Sequence, residues 1–386
     1  MTEMYLLSIA VILIATKLLG DVTNRVHLTQ VVGALLAGVV IGPGGLGWIS
    51  ETQFITQTAE IGVILLMFTA GLETDSREMK KNMAESTIIA LLGVIVPLIG
   101  GTLAYYLFFA RGQTDYDIIL KSVFVGVILT ATSVSITVEA LRELGRLEGK
   151  VGTTVMGAAV IDDIIGILVL TIVLSLKDES VSVLGIVLKI CSYGVLLLVL
   201  QALISRNKNL IDSNLDRQRI TTYSVAACFI MAFLSESVFD IADITGAYML
   251  GLFLSQCKIK AEVTRKLAPV SYIFFTPVFF ASIGLKVDVS GLGSDIAVFS
   301  LILILVAVIS KLAGCGLGAL ICRYDRTEAK QIGIGMISRG EVALIVAQKG
   351  YAAGMVDKSL FPAIVIVVIV TTMITPVLLK RAMARD

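Results

Sequence analysis

Between Val151 and Ser175 the chain reads VGTTVMGAAVIDDIIGILVLTIVLS. The run exceeds the roughly 20 residues that a helix needs to cross a hydrocarbon core, and its only ionisable side chains are Asp162 and Asp163. A charge taken to mid-membrane costs several kcal/mol, so such groups are rare unless they line a cavity or a pathway. The stretch therefore implies a membrane-spanning helix whose two carboxyls face something other than lipid. Successive helical residues point about 100° apart, so one carboxyl can meet a protein partner while the other meets a water-filled crevice. The bland reading is a pair that only packs against donors on neighbouring helices.

Working outward, runs of the same kind recur along the whole chain. Thirteen spans are predicted, near 4–20, 28–47, 54–71, 86–109, 118–140, 151–175, 181–205, 220–236, 242–256, 267–285, 296–321, 329–349 and 359–379. The composition agrees: 56% of the 386 residues are hydrophobic and 16% charged, Gly (34) far exceeds Pro (6), and mean hydropathy is +0.93. A soluble enzyme is excluded by these values, and an all-α polytopic membrane protein is expected. The 31 basic and 30 acidic residues leave a formal charge of +1, with no excess to attract nucleic acid. Cys191, Cys228, Cys257, Cys315 and Cys322 show no C-x-x-C spacing, so neither a disulfide framework nor a zinc site is expected. No cofactor is implied. The first apolar run, Tyr5 to Leu19, lacks a basic leader and reads as an anchor rather than a cleaved signal. The longest hydrophilic stretch, Arg206 to Arg219, is no more than a loop.

Basic residues favour the cytoplasmic side of a membrane. With the C-terminus cytoplasmic, alternation over thirteen spans puts 21 of the 31 Lys and Arg inside, in clusters such as Arg77, Lys80, Lys81 and Lys258, Lys260, Arg265, Lys266. Six fall outside: Arg111, Lys121, Lys177, Lys286, Lys349 and Lys358. The N-terminus is then expected outside, in a bacterial inner (plasma) membrane.

Three further regions carry polar groups within spans. Lys311, in VISKLAG (Val308 to Gly314), lies too deep to snorkel easily. It either loses its proton or pairs with a carboxylate, and Asp162 and Asp163 are both candidates. ISRGEVA (Ile337 to Ala343) sets Arg339 two residues from Glu341 in a span that also holds Gly333, Gly335 and Gly340. Side chains at i and i+2 do not face each other on a regular helix, so a broken helix is expected there, with Arg339 and Glu341 either bracing the break or binding an ion. Thr130, Thr132, Ser133, Ser135 and Thr137 crowd the fifth span. An isolated hydroxyl would simply bond the preceding turn, but this density points to a second interrupted helix with oxygens for a dehydrated cation. Spans 2–6 and 9–13 then each hold an interrupted fourth helix, at Thr132 and Arg339. An odd-numbered repeat inserts with opposite topology in its two copies, which makes two inverted five-helix repeats with a site near the midplane.

The motifs GLETD (Gly71 to Asp75), TATSVSIT (Thr130 to Thr137), AAVIDD (Ala158 to Asp163), FFTPVFFASIGL (Phe274 to Leu285), SKLAG (Ser310 to Gly314) and RGEVALIVA (Arg339 to Ala347) occur in order over nearly the whole chain. Together they resemble the monovalent cation:proton antiporter-2 family, and within it the electrogenic NapA/GerN type. The glutathione-gated potassium efflux branch carries Gln-Asp where this chain has Asp162-Asp163. The resemblance implies a homodimer with a scaffold from 1–85 and 220–285, a mobile core from 86–175 and 296–380, a linker helix at 181–205, and two crossing unwound helices. It also implies residue roles. Asp163 is the alternating cation and proton site, Asp162 pairs with Lys311, Thr132 and Ser133 lie at the crossing, and Arg339 and Glu341 stabilise the second break. Lys286 receives no role, and the lone histidine, His27, reads as a solvated helix-end residue.

The expected activity is exchange of protons for Na+, with K+ and Li+ as alternative cations. If Asp163 holds either a proton or a cation, competition alone couples the fluxes as the core alternates between inward and outward access. A potassium-efflux K+/H+ antiporter is the nearest alternative. A channel would need a symmetric pore or filter, and an aspartyl protease needs two carboxyls that meet from different helices.

Overall fold

A computed structural model describes residues 4–25, 28–113, 115–177, 182–213, 217–286 and 293–384; His27 lies outside them. Among the described residues the regular elements are helical and none is a strand. The chain begins with α1 (Met4–Arg25), α2 (Gln30–Ile41), α3 (Gln53–Glu73), a short α4 (Ser76–Lys81) and α5 (Met83–Phe109). The fifth predicted span is two pieces, α6 (Tyr116–Thr130) and α7 (Val134–Glu143), followed by α8 (Lys150–Ser175) and α9 (Val183–Arg206). Next come α10 (Lys208–Ser213), α11 (Arg217–Ser237), α12 (Asp243–Leu254) and α13 (Ile259–Val270), which passes through a π-helical turn at Ser271–Phe275 into α14 (Thr276–Leu285). After α15 (Ser294–Ile321), the second interrupted span is α16 (Arg326–Gly335) and α17 (Glu341–Ala352); a 3-10 turn then leads to α18 (Phe361–Met383).

Among the described residues, ten helices are long and apolar enough to cross a membrane when α6–α7 and α13–α14 are each taken through their break or turn, and α2 and α12 are shorter apolar helices of 12 residues each. This is a multi-pass membrane protein. The predicted 28–47 span is shorter than expected because Gly42-Pro43-Gly44-Gly45 follows Ile41; proline has no backbone donor and glycine favours turns, so the helix stops. The symmetry expected of the repeats is visible in outline. Each opens on a 12-residue helix, α2 or α12, and each has a broken fourth helix, α6–α7 or α16–α17.

Helices α1 to α3 pack with α11 to α14, while α5, α6 and α8 pack with α15, α16 and α18. Small residues bring backbones together where apolar burial gives no drive in lipid. At the α3–α12 crossing, a Cβ on Gly71 would meet the Leu252 backbone nitrogen at 2.8 Å, and one on Gly251 would meet that of Leu72 at 2.9 Å. The outer face of α9 exposes Leu184, Leu188, Val195, Leu198 and Leu203, the surface expected against acyl chains.

Long-range ion pairs join groups that span alternation puts on one side. Lys121 meets Asp357 at 2.9 Å and Lys177 meets Asp117 at 2.6 Å on one face; Arg142 meets Glu73 and Lys150 meets Glu328 at 2.9 Å on the other; Lys189, inside the predicted 181–205 span, meets Asp240.

Candidate functional site

Lys311 on α15 and Asp162 on α8 form a buried ion pair, Nζ to Oδ1 2.7 Å, with both side chains closed to solvent. Gly93 on α5 makes the room. A Cβ there would stand 2.6 Å from Cys315 Sγ and within 3.5 Å of the ammonium. The next residue, Asp163, turns away from this pair: its Oδ2 accepts from the Thr245 hydroxyl on α12 at 3.5 Å. Asp163 Oδ1, Asp162 Oδ2 and the Thr132 hydroxyl are buried with no hydrogen-bond partner among the described residues. A cavity of about 30 Å³ touches both aspartates, Thr130, Ala131 and Val342. That exceeds the roughly 10–15 Å³ a cavity needs to hold a water molecule. Carboxylate, hydroxyl and carbonyl oxygens are the donors that hard cations prefer.

The two breaks touch each other. Ser133 N donates to the Ser338 carbonyl at 2.8 Å, and Ser338 Oγ donates back to the Ser133 carbonyl at 2.9 Å. Thr137 Oγ1 donates to the Gly335 carbonyl at 2.6 Å, so the first turn of α7 satisfies the end of α16. Gly340 must lack a side chain, because a Cβ would lie 2.7 Å from that of Ser133. The unwound segments thus bond each other where regular helix would have bonded itself, as buried backbone requires in a membrane.

Arg339 supplies the matching charge. Its side chain is fully buried, and the guanidinium donates to the carbonyls of Ala131 at 2.8 Å and Ala307 at 3.4 Å. Ala131 caps the C-terminus of α6, where unsatisfied carbonyls carry partial negative charge. On α18, Thr371 Oγ1 accepts from Arg339 N at 3.3 Å and Thr372 Oγ1 donates to its carbonyl at 2.5 Å. Glu341 opens α17; its side chain lies outside the described residues. Of the residues singled out from sequence, Asp162, Asp163 and Lys311 therefore gather at one point, Thr132 is buried with its hydroxyl unengaged, Ser133 belongs to the crossing, and Arg339 braces the break.

The profile of the family described as "Sodium/hydrogen exchanger, transmembrane" matches residues 7–385. The chain belongs to this family. The exchanger is 41% identical to the Na(+)/H(+)-K(+) antiporter GerN of Bacillus cereus, over 97% of its own length and 95% of the relative's. It is 37% identical to a Na(+)/H(+) antiporter of Enterococcus hirae, over 96% of each chain. Its fold matches that of the sodium proton antiporter MjNhaP1 from Methanocaldococcus jannaschii with a TM-score of 0.77, covering 99% of this exchanger and 96% of that chain at 15% identity.

Several residues near the site were not singled out from sequence. Thr245 is one, and Ser338, Thr371 and Thr372 are others. The exchanger also has a cavity of about 460 Å³ lined by Glu51, Glu60, Glu236, Asp243 and Lys286, with Lys286 Nζ 3.6 Å from Glu51 Oε1. A second cavity, about 620 Å³, lies between α7 and helices α1, α2 and α14, with Glu139 and Glu143 on its wall.

Proposed function

We propose that the protein exchanges protons for Na+ by alternating access, with Asp163 as the group that holds either one. The supporting observation is the division of labour between neighbours: Asp162 is neutralised by Lys311, while Asp163 keeps an unpartnered oxygen beside a small, mostly apolar cavity whose wall also carries Asp162 and Thr130. A cation at Asp163 would be ligated by that carboxylate together with the Thr132 hydroxyl and backbone carbonyls freed at the α6 break. Proton and cation need the same lone pairs, so neither stays when the other arrives. If the Lys311 ammonium gives up its proton once the pair with Asp162 opens, two protons would move against one cation and exchange would be electrogenic, sensitive to potential by roughly 2.3 kcal/mol per charge per 100 mV.

The moving parts follow the packing groups. Residues 86–175 and 296–380 would shift as a core against a scaffold of 1–85 and 220–285, linked by the helix at 181–205. Thr245 belongs to that scaffold and Asp163 to that core, so their 3.5 Å contact is one that motion would break. The chain is read as thirteen crossings in a bacterial inner membrane, N-terminus outside and C-terminus cytoplasmic, working as a homodimer. The GerN relative's name also includes K+, and K+ or Li+ would compete for the same oxygens. In everted vesicles Asp163→Asn is expected to abolish Na+-dependent proton flux; normal flux in that variant would overturn the assignment.

A further inference from the structure

We propose that the 620 Å³ cavity is a cytoplasmic antechamber in which Glu139, with the hydroxyls of Thr276 and Tyr272, binds the cation before it reaches Asp163. This rests on the exchange function proposed above and on the orientation taken from the loop charges. Glu139 lies on α7, the half-helix that starts immediately after Ser133. At 1.5 Å per residue it stands roughly 9 Å from the crossing, toward the α7–α8 loop. Its side chain is 7% exposed, and Oε2 has no hydrogen-bond partner among the described residues.

The charged neighbours leave Glu139 available. Glu143 accepts from the backbone nitrogen of Gln30 at 3.0 Å. Arg142 pairs with Glu73 on α3 and lies over the Tyr272 ring at 4.2 Å. Lys17 on α1 pairs with Asp21 at 3.0 Å. Opposite Glu139, the cavity wall carries two more unengaged hydroxyls. Thr276 Oγ1, on a residue 6% exposed, and Tyr272 Oη are both buried without a partner among the described residues. Tyr272 lies within the π-helical turn Ser271–Phe275 and Thr276 directly follows it; Pro269 and Pro277 bracket the turn, removing backbone donors on either side. π turns in helices are frequent at functional sites. A carboxylate from the expected core and hydroxyls from the expected scaffold, each buried and each unengaged, form a donor set for a monovalent cation that keeps part of its hydration, given the volume.

The test uses the full-length protein in native vesicles of both orientations. Everted vesicles present the cytoplasmic face to added Na+, and right-side-out vesicles present the other. Glu139→Gln is expected to raise the KM for Na+ at the cytoplasmic face about tenfold, as loss of one charged contact would, with kcat and the KM at the opposite face unchanged. Glu139→Asp should recover most of the affinity, and Thr276→Val should shift the same KM in the same direction by less. Equal changes from both faces, a change in kcat alone, or no change would overturn the antechamber. Asp163→Asn, measured in parallel, reads the parent proposal separately, since it should stop exchange from both faces.

Discussion

The Lys311 ammonium sits 2.7 Å from Asp162 and does so out of reach of solvent. Taking either partner away leaves a lone charge in a low-dielectric site, which typically costs about 3–5 kcal/mol, whereas replacing both by neutral groups of similar volume is often close to neutral. Lys311→Met and Asp162→Asn are therefore each expected to lower the thermal unfolding midpoint in detergent strongly. The double variant should recover most of the loss. A double variant as unstable as the worse single one would mean the pair is not an isolated unit.

Arg339 reaches two carbonyls, on Ala131 and Ala307, with a planar fork. A lysine keeps the charge but offers a point donor on a different stem. Arg339→Lys should thus retain only part of the stability, and Arg339→Met should lose more, because the end of α6 is then left with an unmet buried acceptor, at about 1–3 kcal/mol for each such group. Thermal unfolding of the two variants, compared with flux at a temperature where both remain folded, checks the order.

The close approach of Gly340 and Ser133 is steric, so it admits a rescue. Gly340→Ala forces its new Cβ against the Cβ and Oγ of Ser133, and overpacking of this kind typically costs about 1–3 kcal/mol. Removing the obstacle in Ser133→Gly/Gly340→Ala should return much of that stability, although the Ser133 hydroxyl is gone. Equal destabilisation of the single and double variants would place the strain in the Gly340 backbone instead.

What the sequence revealed and what it hid divide along a physical line. Asp162, Asp163, Lys311 and Arg339 stand out because a charge in an apolar run has few cheap explanations, and the breaks at 131–133 and 336–340 were foreshadowed by crowded hydroxyls and glycines. Thr245 was invisible, since one hydroxyl in an apolar helix has an ordinary local use and its link to Asp163 spans 82 positions. The same holds for Glu139, Glu60, Glu236 and Asp243. Glu139, Glu236 and Asp243 lie near helix ends, where a carboxylate is cheap, Glu60 lies two turns into α3, and only tertiary packing gathers them around cavities. The choice of Asp162 over Asp163 as partner of Lys311 comes from the family resemblance and matches the structure, whereas spacing alone leaves both open, because it does not set the azimuth of α8 against α15.

Lys286, unassigned from sequence, shares its cavity with Glu51, Glu60, Glu236 and Asp243, and lies 3.6 Å from the first. A cation entering from that side meets four carboxylates and one ammonium, so the ammonium opposes it. Lys286→Gln should lower the KM for Na+ added at that face several-fold at low ionic strength and leave the opposite face unaffected. The groups are partly exposed and the Debye length falls from about 30 Å at 0.01 M to about 10 Å at 0.1 M salt, so the difference from the parent protein should shrink as choline chloride is added. Flux in right-side-out vesicles across a salt series measures both effects. An unchanged KM at the lowest salt would put this cavity off the cation's route, and a change that persists at high salt would mean Lys286 acts by contact within the cavity rather than through its field.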